Sequence, residues 1–263
     1  MKKRQVKTVI ANFHTHTRRC RHAVGTEDEY VQAALEAGLK ILGFSDHTPY
    51  YFPGNYYSTF RMYPSELKGY VDSVLRVRKA YEGQIRIPLG LEAEFYPGLF
   101  PELLPRLQDA GIEYLLLGQH FVGDEVGEHY CGRPTADPDV LRRYCRQVCD
   151  AMDTGLFSYL AHPDLLFFTG SPALYREQMR EVCKAAKACG VPLEVNLLGI
   201  FSGRHYPNPV FWELAAEENC PVVIGRDAHA PMQLLDGESL NKAQQMIEKL
   251  GLQVQETVRL RRI

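Results

Sequence analysis

Tryptophan occurs once in these 263 residues, and no apolar run approaches the ~18 residues of a membrane-spanning helix, so no membrane partner is expected. Seven cysteines are present, but the count is odd and no C-x-x-C pair exists, so no disulfide framework is implied. Cys145 and Cys149, and Cys183 and Cys189, fall beside helical patterns. Reduced, mostly buried thiols in a cytoplasmic protein are the expectation. An excess of one charge is also missing. Lys and Arg number 30 against 32 Asp and Glu, giving a formal charge of −2 and a pI near 6.5. No global field draws in nucleic acid or an anionic membrane, and any anion must be held by local features. The basic start, Met1 to Arg4, precedes an apolar stretch (9–13) too short for a secretion signal.

What is present is an alternation. Short apolar runs at 8–13, 40–44, 85–91, 114–117, 157–161, 192–195 and 221–224 are nearly continuous in aliphatic and aromatic residues, as strands buried on both faces require. Longer amphipathic segments lie between them, several with start signals. Thr26 and Glu29 form a capping box, and Asp137-Pro138, Ser171-Pro172 and Asn208-Pro209 each place a cap before a first-turn proline. Gly38, Gly111, Gly155 and Gly190 stand where left-handed helix ends are wanted. The segment 254–260 is a final strand or a tail. The 263 residues are close to the roughly 250 of one (β/α) barrel, and 45% hydrophobic content is ample for one core. One domain over 1–263 is expected. Polar residues follow every strand rather than one switch point, so the pattern predicts an α/β barrel over a doubly wound sheet.

Placing histidines on this map is informative. His14 and His16 follow the first strand, Asp46 and His47 the second, Glu92 and Glu94 the third. His120 follows the fourth, His162 the fifth, Glu194 and Asn196 the sixth, Asp227 and His229 the seventh, and His22 lies in the first loop. Parallel strand ends converge on one face of a barrel, and alternate residues of extended chain point the same way, so His14 and His16 can act as a clamp. One histidine at a strand end is ordinarily a hydrogen-bonded structural residue. A histidine or acid after every strand is a different matter. Imidazoles with carboxylates suit zinc, iron or manganese, and these donors exceed what one ion needs, so two or three divalent metals are expected. Glu94 is either a ligand or a partner orienting a ligating histidine, Glu194 either such a partner or a structural acid, and Asp46 either faces away or orients its neighbour. His129 and His205 fall outside the pattern. Arg18, Arg19, Arg21, Arg133, Arg204 and Arg226 lie near the mouth. Arg204 is the first choice for phosphate, because glycines make its loop pliable, with Arg19 as a second candidate. The tyrosine-rich insert 49–63 is expected either to cover the mouth or to be a plain surface loop.

These residues carry a resemblance. His14-Thr-His16-Thr-Arg-Arg-Cys-Arg-His22-Ala, Gly43-Phe44-Ser45-Asp46-His47-Thr48-Pro49 and Gly90-Leu91-Glu92-Ala93-Glu94 resemble the first three motifs of the PHP (polymerase and histidinol phosphatase) superfamily. Gly118-Gln119-His120-Phe121, Ala161-His162-Pro163-Asp164 and Gly225-Arg226-Asp227-Ala228-His229 are similar to the later ones. The likeness spans residues 10 to about 235 and is nearest the histidinol-phosphate phosphatase branch. It implies a distorted (β/α)7 TIM-like barrel with three metals. By it, His14, His16, Glu92 and Asp227 would hold the first metal, Glu92, His120 and His162 the second, and His22, His47 and His229 the third. One departure stands out: where the branch carries Asn-Thr-Ser-Gly-Leu-Arg after the sixth strand, this chain has Asn196-Leu-Leu-Gly199-Ile-Phe-Ser-Gly-Arg204.

The resemblance implies hydrolysis of a phosphomonoester, L-histidinol phosphate in histidine biosynthesis, by a hydroxide held between two metals. Glu92, Asp227 and Arg204 would stand at the reacting phosphate, with Glu194 or Asp164 as candidates for the substrate's ammonium group. The alternative keeps the chemistry on another substrate, as a phosphatase, phosphodiesterase or nuclease. The near-neutral charge and lack of a basic run argue against a long polyanion.

Overall fold

Seven apolar runs can satisfy their backbones together only by pairing side by side. The computed structural model describes residues 9–127 and 129–263, so Thr8 and the basic start lie outside the described residues. β1 (Ala11–Asn12) pairs in parallel with β2 (Ile41–Leu42). After Gly43 the same run continues as β3 (Phe44–His47), which pairs with β4 (Leu89–Ala93), and β4 pairs with β5 (Tyr114–Leu117). Beyond β5 comes an antiparallel hairpin, β6 (Phe121–Val122) and β7 (His129–Tyr130), which the alternating pattern does not predict. The parallel series resumes with β8 (Phe157–Leu160), β9 (Leu193–Asn196) and β10 (Pro221–Gly225).

The ring closes beyond the ends of these strands. Thr15 bridges Ala228 in parallel, with His16 N–H donating to the Ala228 carbonyl at 2.9 Å and Ala228 N–H to that of His14 at 3.1 Å. Asn12 Oδ1 accepts the Arg226 N–H at 2.8 Å beside them. At its other end β10 pairs with β11 (Gln253–Val254) instead. So β10 has one neighbour at the base and another at the mouth, and this is the barrel's distortion. Of the segment 254–260, only Val254 is strand. Val258 and Leu260 pack with the barrel's interior side chains.

Among the described residues, eight α-helices join these strands: α1 (Glu27–Glu36), α2 (Leu67–Ala80), α3 (Phe100–Asp109), α4 (Pro138–Asp153), α5 (Pro172–Cys189), the short α6 (Leu197–Phe201), α7 (Pro209–Glu217) and α8 (Gly237–Leu250). The expected caps are present. The Thr26 hydroxyl accepts the Glu29 N–H, and the Glu29 carboxylate accepts the Thr26 N–H at 2.6 Å. Asp137, Ser171 and Asn208 cap α4, α5 and α7, and Gly190 closes α5 at φ 61°.

Two apolar clusters result. Phe13, Tyr114, Leu116, Tyr159 and Val223 point inward and fill the barrel. Their neighbours Leu115, Leu117 and Leu160, with Leu193, point outward and pack beneath the helices, the period of two expected of extended chain. β3 and β4 run three and two residues nearer the mouth than the apolar runs predict, and β9 one, so His47, Glu92 and Asn196 are the last or nearly last strand residues.

Candidate metal centre

Glu92 is the hub of the mouth. Its Oε1 lies 2.7 Å from His162 Nε2 and 3.6 Å from His120 Nε2, and its Oε2 lies 3.0 Å from His47 Nδ1 and 3.5 Å from Nε2 of both His14 and His16. Asp227 Oδ1 is a second focus, 3.1 Å from His16 Nε2 and 3.4 Å from both His14 Nε2 and His229 Nδ1. His22 reaches in from the rim, its Nε2 3.0 Å from His229 Nε2. All nine residues expected as ligands therefore meet at one place. His162 and Asp227 hold φ of 29° and 49°, a region side chains other than glycine rarely adopt, and such backbone persists where its surroundings enforce it.

The hydrogen bonds around these rings fix which nitrogen each presents. His14 Nδ1 is 2.8 Å from Glu194 Oε1, and His120 Nδ1 is 2.9 Å from Glu94 Oε1. His22 Nδ1 faces the Cys20 carbonyl at 2.7 Å, and His229 Nδ1 that of Asp227 at 3.0 Å. A carbonyl or carboxylate oxygen only accepts, so in each ring Nδ1 donates and Nε2 carries the lone pair. Four lone pairs thus point into the mouth, and those of His22 and His229 face each other. Buried His14 Nε2, both nitrogens of His16, His47 Nδ1, His162 Nδ1 and Glu92 Oε2 have no hydrogen-bond partner. Facing lone pairs and orphaned acceptors are costly without a cation among them, and this donor set fits divalent metals.

Electrostatics agrees. Burial alone would raise the Glu92 pKa, yet His120, His14 and His47 hold it well below the carboxylate range, and Asp227 is held there likewise by His14 and His16. Burial lowers His14, but Asp227, Glu194 and Glu92 carry it well above the ordinary imidazole value. His47 and His229, dominated by burial, fall well below that value. Two buried negative charges demand positive charge beside them. Divalent ions would supply it and leave the ring nitrogens free to ligate.

The remaining candidates separate. Glu94 touches His120 from behind. Glu194, 0% exposed, accepts the His14 Nδ1–H, the His162 N–H at 3.0 Å and the Asn196 amide at 2.8 Å, and this occupied position beneath the ligands removes it as a substrate contact. Asp164 is likewise buried, accepting the Asn208 N–H and the Trp212 Nε1–H, and burial pushes its carboxyl up to about 7. Asp46 accepts from Thr17 and the His47 N–H and lies 3.5 Å from His16 Nδ1. Arg19 does not reach the pocket: it is committed to Glu27 at 2.7 Å and the Gly69 carbonyl at 3.0 Å. Arg226 is turned towards the Gln233 and Asp236 carbonyls, and His129 and His205 bond to backbone elsewhere.

Arg204 does line the cavity above the cluster, a space of about 500 Å³ walled by Phe60, Phe121, Tyr130, Leu165 and Tyr206. Its Nη1 donates to Tyr206 Oη at 2.7 Å. Asn196, expected at the end of the sixth strand, donates to Asp227 Oδ2 at 3.1 Å. Three residues were not singled out in the sequence. Tyr130 and Tyr206 wall the cavity. Cys20 Sγ lies within 4.8 Å of the ring nitrogens of His22 and His229. The spacing Cys20-Arg21-His22 was the available signal for the last.

The PHP domain model matches residues 12–197. A probable histidinol-phosphatase of Deinococcus radiodurans is 32% identical over 232 residues, 85% of this chain and 88% of that protein. A histidinol-phosphatase of Bacillus subtilis is 24% identical over 253 residues, 82% and 92% of the two chains. Among solved structures, histidinol phosphate phosphatase from Lactococcus lactis, crystallised with zinc, L-histidinol and phosphate, superposes with a TM-score of 0.73 at 19% identity, covering 95% of this chain and 99% of that one. The barrel, the ring of imidazoles around two carboxylates and these matches lead to one conclusion: the chain belongs to the PHP family.

Proposed function

We propose that the protein is a metal-dependent phosphomonoester hydrolase acting on L-histidinol phosphate. The observation that carries this is the pocket itself, in which seven imidazoles and two carboxylates gather beneath one arginine and an aromatic wall. The relatives named as histidinol-phosphatases support the substrate. We assign His14, His16, Glu92 and Asp227 to one cation, His120 and His162 with Glu92 to a second, and His22, His47 and His229 to a third. When bound, zinc, iron or manganese would polarise phosphoryl oxygens and lower the pKa of a water to ~7.

The chain's own residues do the rest. Glu92 and Asp227 set the charge of the site. Glu194, Glu94 and Asn196 orient the ligands from behind. Arg204 keeps donors for phosphate oxygens beyond the one given to Tyr206, and its planar fork suits them. Phe60, Phe121 and Tyr130 would cover the organic half and exclude water. The ammonium group would be met at the cavity rim, since Glu194 and Asp164 are both enclosed. A cavity of about 500 Å³ matches a small molecule rather than a strand of nucleic acid. All seven cysteines are unpaired, which supports a reducing compartment such as the cytoplasm.

The test is phosphate release from L-histidinol phosphate beside sugar and nucleotide monophosphates and an oligonucleotide. A rate at least ten times that of any other substrate is expected. Equal, feeble rates on all would overturn the substrate.

A further inference from the structure

Arg61 lies in the aromatic insert, 1% exposed. A buried guanidinium is strongly unfavourable unless every donor is met. Here all five are. Nε donates to Glu125 Oε2 at 2.9 Å, and Nη1 to Glu94 Oε2 at 3.0 Å and the Thr48 carbonyl at 2.8 Å. Nη2 meets Glu94 Oε1 at 2.9 Å and Glu125 Oε2 at 2.7 Å. The Glu94 oxygen that takes Nη2 also takes His120 Nδ1. The guanidinium lies over the Phe60 ring at 4.4 Å, and that ring meets those of His47 and His120 at 5.0 and 5.9 Å. Tyr56 Oη donates to Glu125 at 2.9 Å.

We propose that Arg61 is a positioning residue. It locks Glu94 so that His120 presents Nε2 to the pocket, and it thereby couples the order of the insert to metal bound at His120. This rests on His120 being a ligand. The arrangement needs an arginine, because lysine has three donors on a point charge and cannot grip Glu94 through both oxygens while holding Glu125 and Thr48. The coupling follows from shared parts: Thr59 and Phe60 line the substrate cavity, and Arg61 is the residue after them.

The test uses Arg61→Lys, Arg61→Met, Glu94→Gln and His120→Ala beside the wild type. Bound zinc is measured by elemental analysis across a chelator series, folding by circular dichroism, and backbone order by hydrogen exchange in 49–63 with and without zinc. Glu94→Gln leaves Arg61 paired with Glu125, so it keeps the test valid if Arg61→Met does not fold. Losses of about 10–100-fold in zinc affinity are expected for Arg61→Met and Glu94→Gln, with Arg61→Lys between them and the wild type. Zinc should slow exchange in the insert of the wild type and have less effect in Arg61→Lys. Wild-type affinity in Glu94→Gln and Arg61→Lys, or exchange in the insert that ignores zinc, overturns the proposal. If His120→Ala also keeps all its zinc, the ligand assignment falls with it. If His120→Ala alone loses zinc, only the role of Arg61 falls.

Discussion

Gly118 shows how little room the hub carboxylate leaves. A Cβ there would overlap the carboxylate of Glu92 itself, and one at Gly225 would overlap that of Glu194. Gly118→Ala is therefore expected to displace Glu92, lowering stability by about 1–3 kcal/mol, as overpacking does, and reducing bound metal. Denaturant unfolding and elemental analysis check both, and an unchanged metal content would contradict the crowding argument. His16→Ala should abolish hydrolysis and lower metal content, and full activity would refute its role as a ligand. At this scale the sequence was most legible where a rare residue type recurs at strand ends, as the histidines do. It was least legible for carboxylates. Glu92 and Glu194 both sit near the ends of apolar runs, yet only Glu92 faces the mouth. Glu194 is turned under His14, and that partnership spans 180 positions.

Elements carry their own predictions. The capping box of α1 lies near the surface, and neither Thr26 nor Glu29 lines the cavity. Thr26→Ala should cost about 1 kcal/mol with hydrolysis unchanged, a drop of about 2–4 °C in melting temperature. The same helix begins with Glu27, which accepts from Arg19 at 2.7 Å and from the Ser73 hydroxyl at 2.8 Å, tying the first loop and α2 together. Burial raises the Glu27 pKa, but Arg19, the helix start and Ser73 outweigh it and hold the group below its ordinary 4.5. A depressed carboxyl stabilises the fold above its unfolded pKa and loses that contribution as pH falls through the folded one. The stability gap between wild type and Glu27→Gln should thus be full at pH 7 and shrink below about pH 4.5. A gap independent of pH would contradict the ion pair's role. The caps of α1, α4, α5 and α7 were legible because they depend on neighbours in the chain. The β6–β7 hairpin and the division of residues 40–47 into β2 and β3 were not, because both depend on where β1 and β5 end in space.

For the whole molecule, barrel closure and metal binding are linked. The Thr15–Ala228 bridge that shuts the ring joins the two segments carrying His14, His16, Asp227 and His229. Cations held between those segments should stabilise the closed barrel. One site filled at 1,000 times its dissociation constant contributes about 4 kcal/mol, so chelation should lower the melting temperature by several degrees and zinc restore it. The seven-unit architecture was readable from the alternation of runs and the barrel from the polar residues after every strand, whereas the place where the ring shuts was not, because apolar patterning does not show that Thr15 meets Ala228. The departure from a regular barrel at β11 likewise came only from the tail's path beneath the interior. The central claim is that scattered donors become one multi-metal pocket. Its most direct measurement is an anomalous-scattering map from crystals grown with zinc or manganese. Peaks at bonding distance, ~2.0–2.2 Å, from ring nitrogens and carboxylate oxygens of this cluster are predicted. A map with no peak in the mouth, or with metal only at other places on the surface, would contradict it.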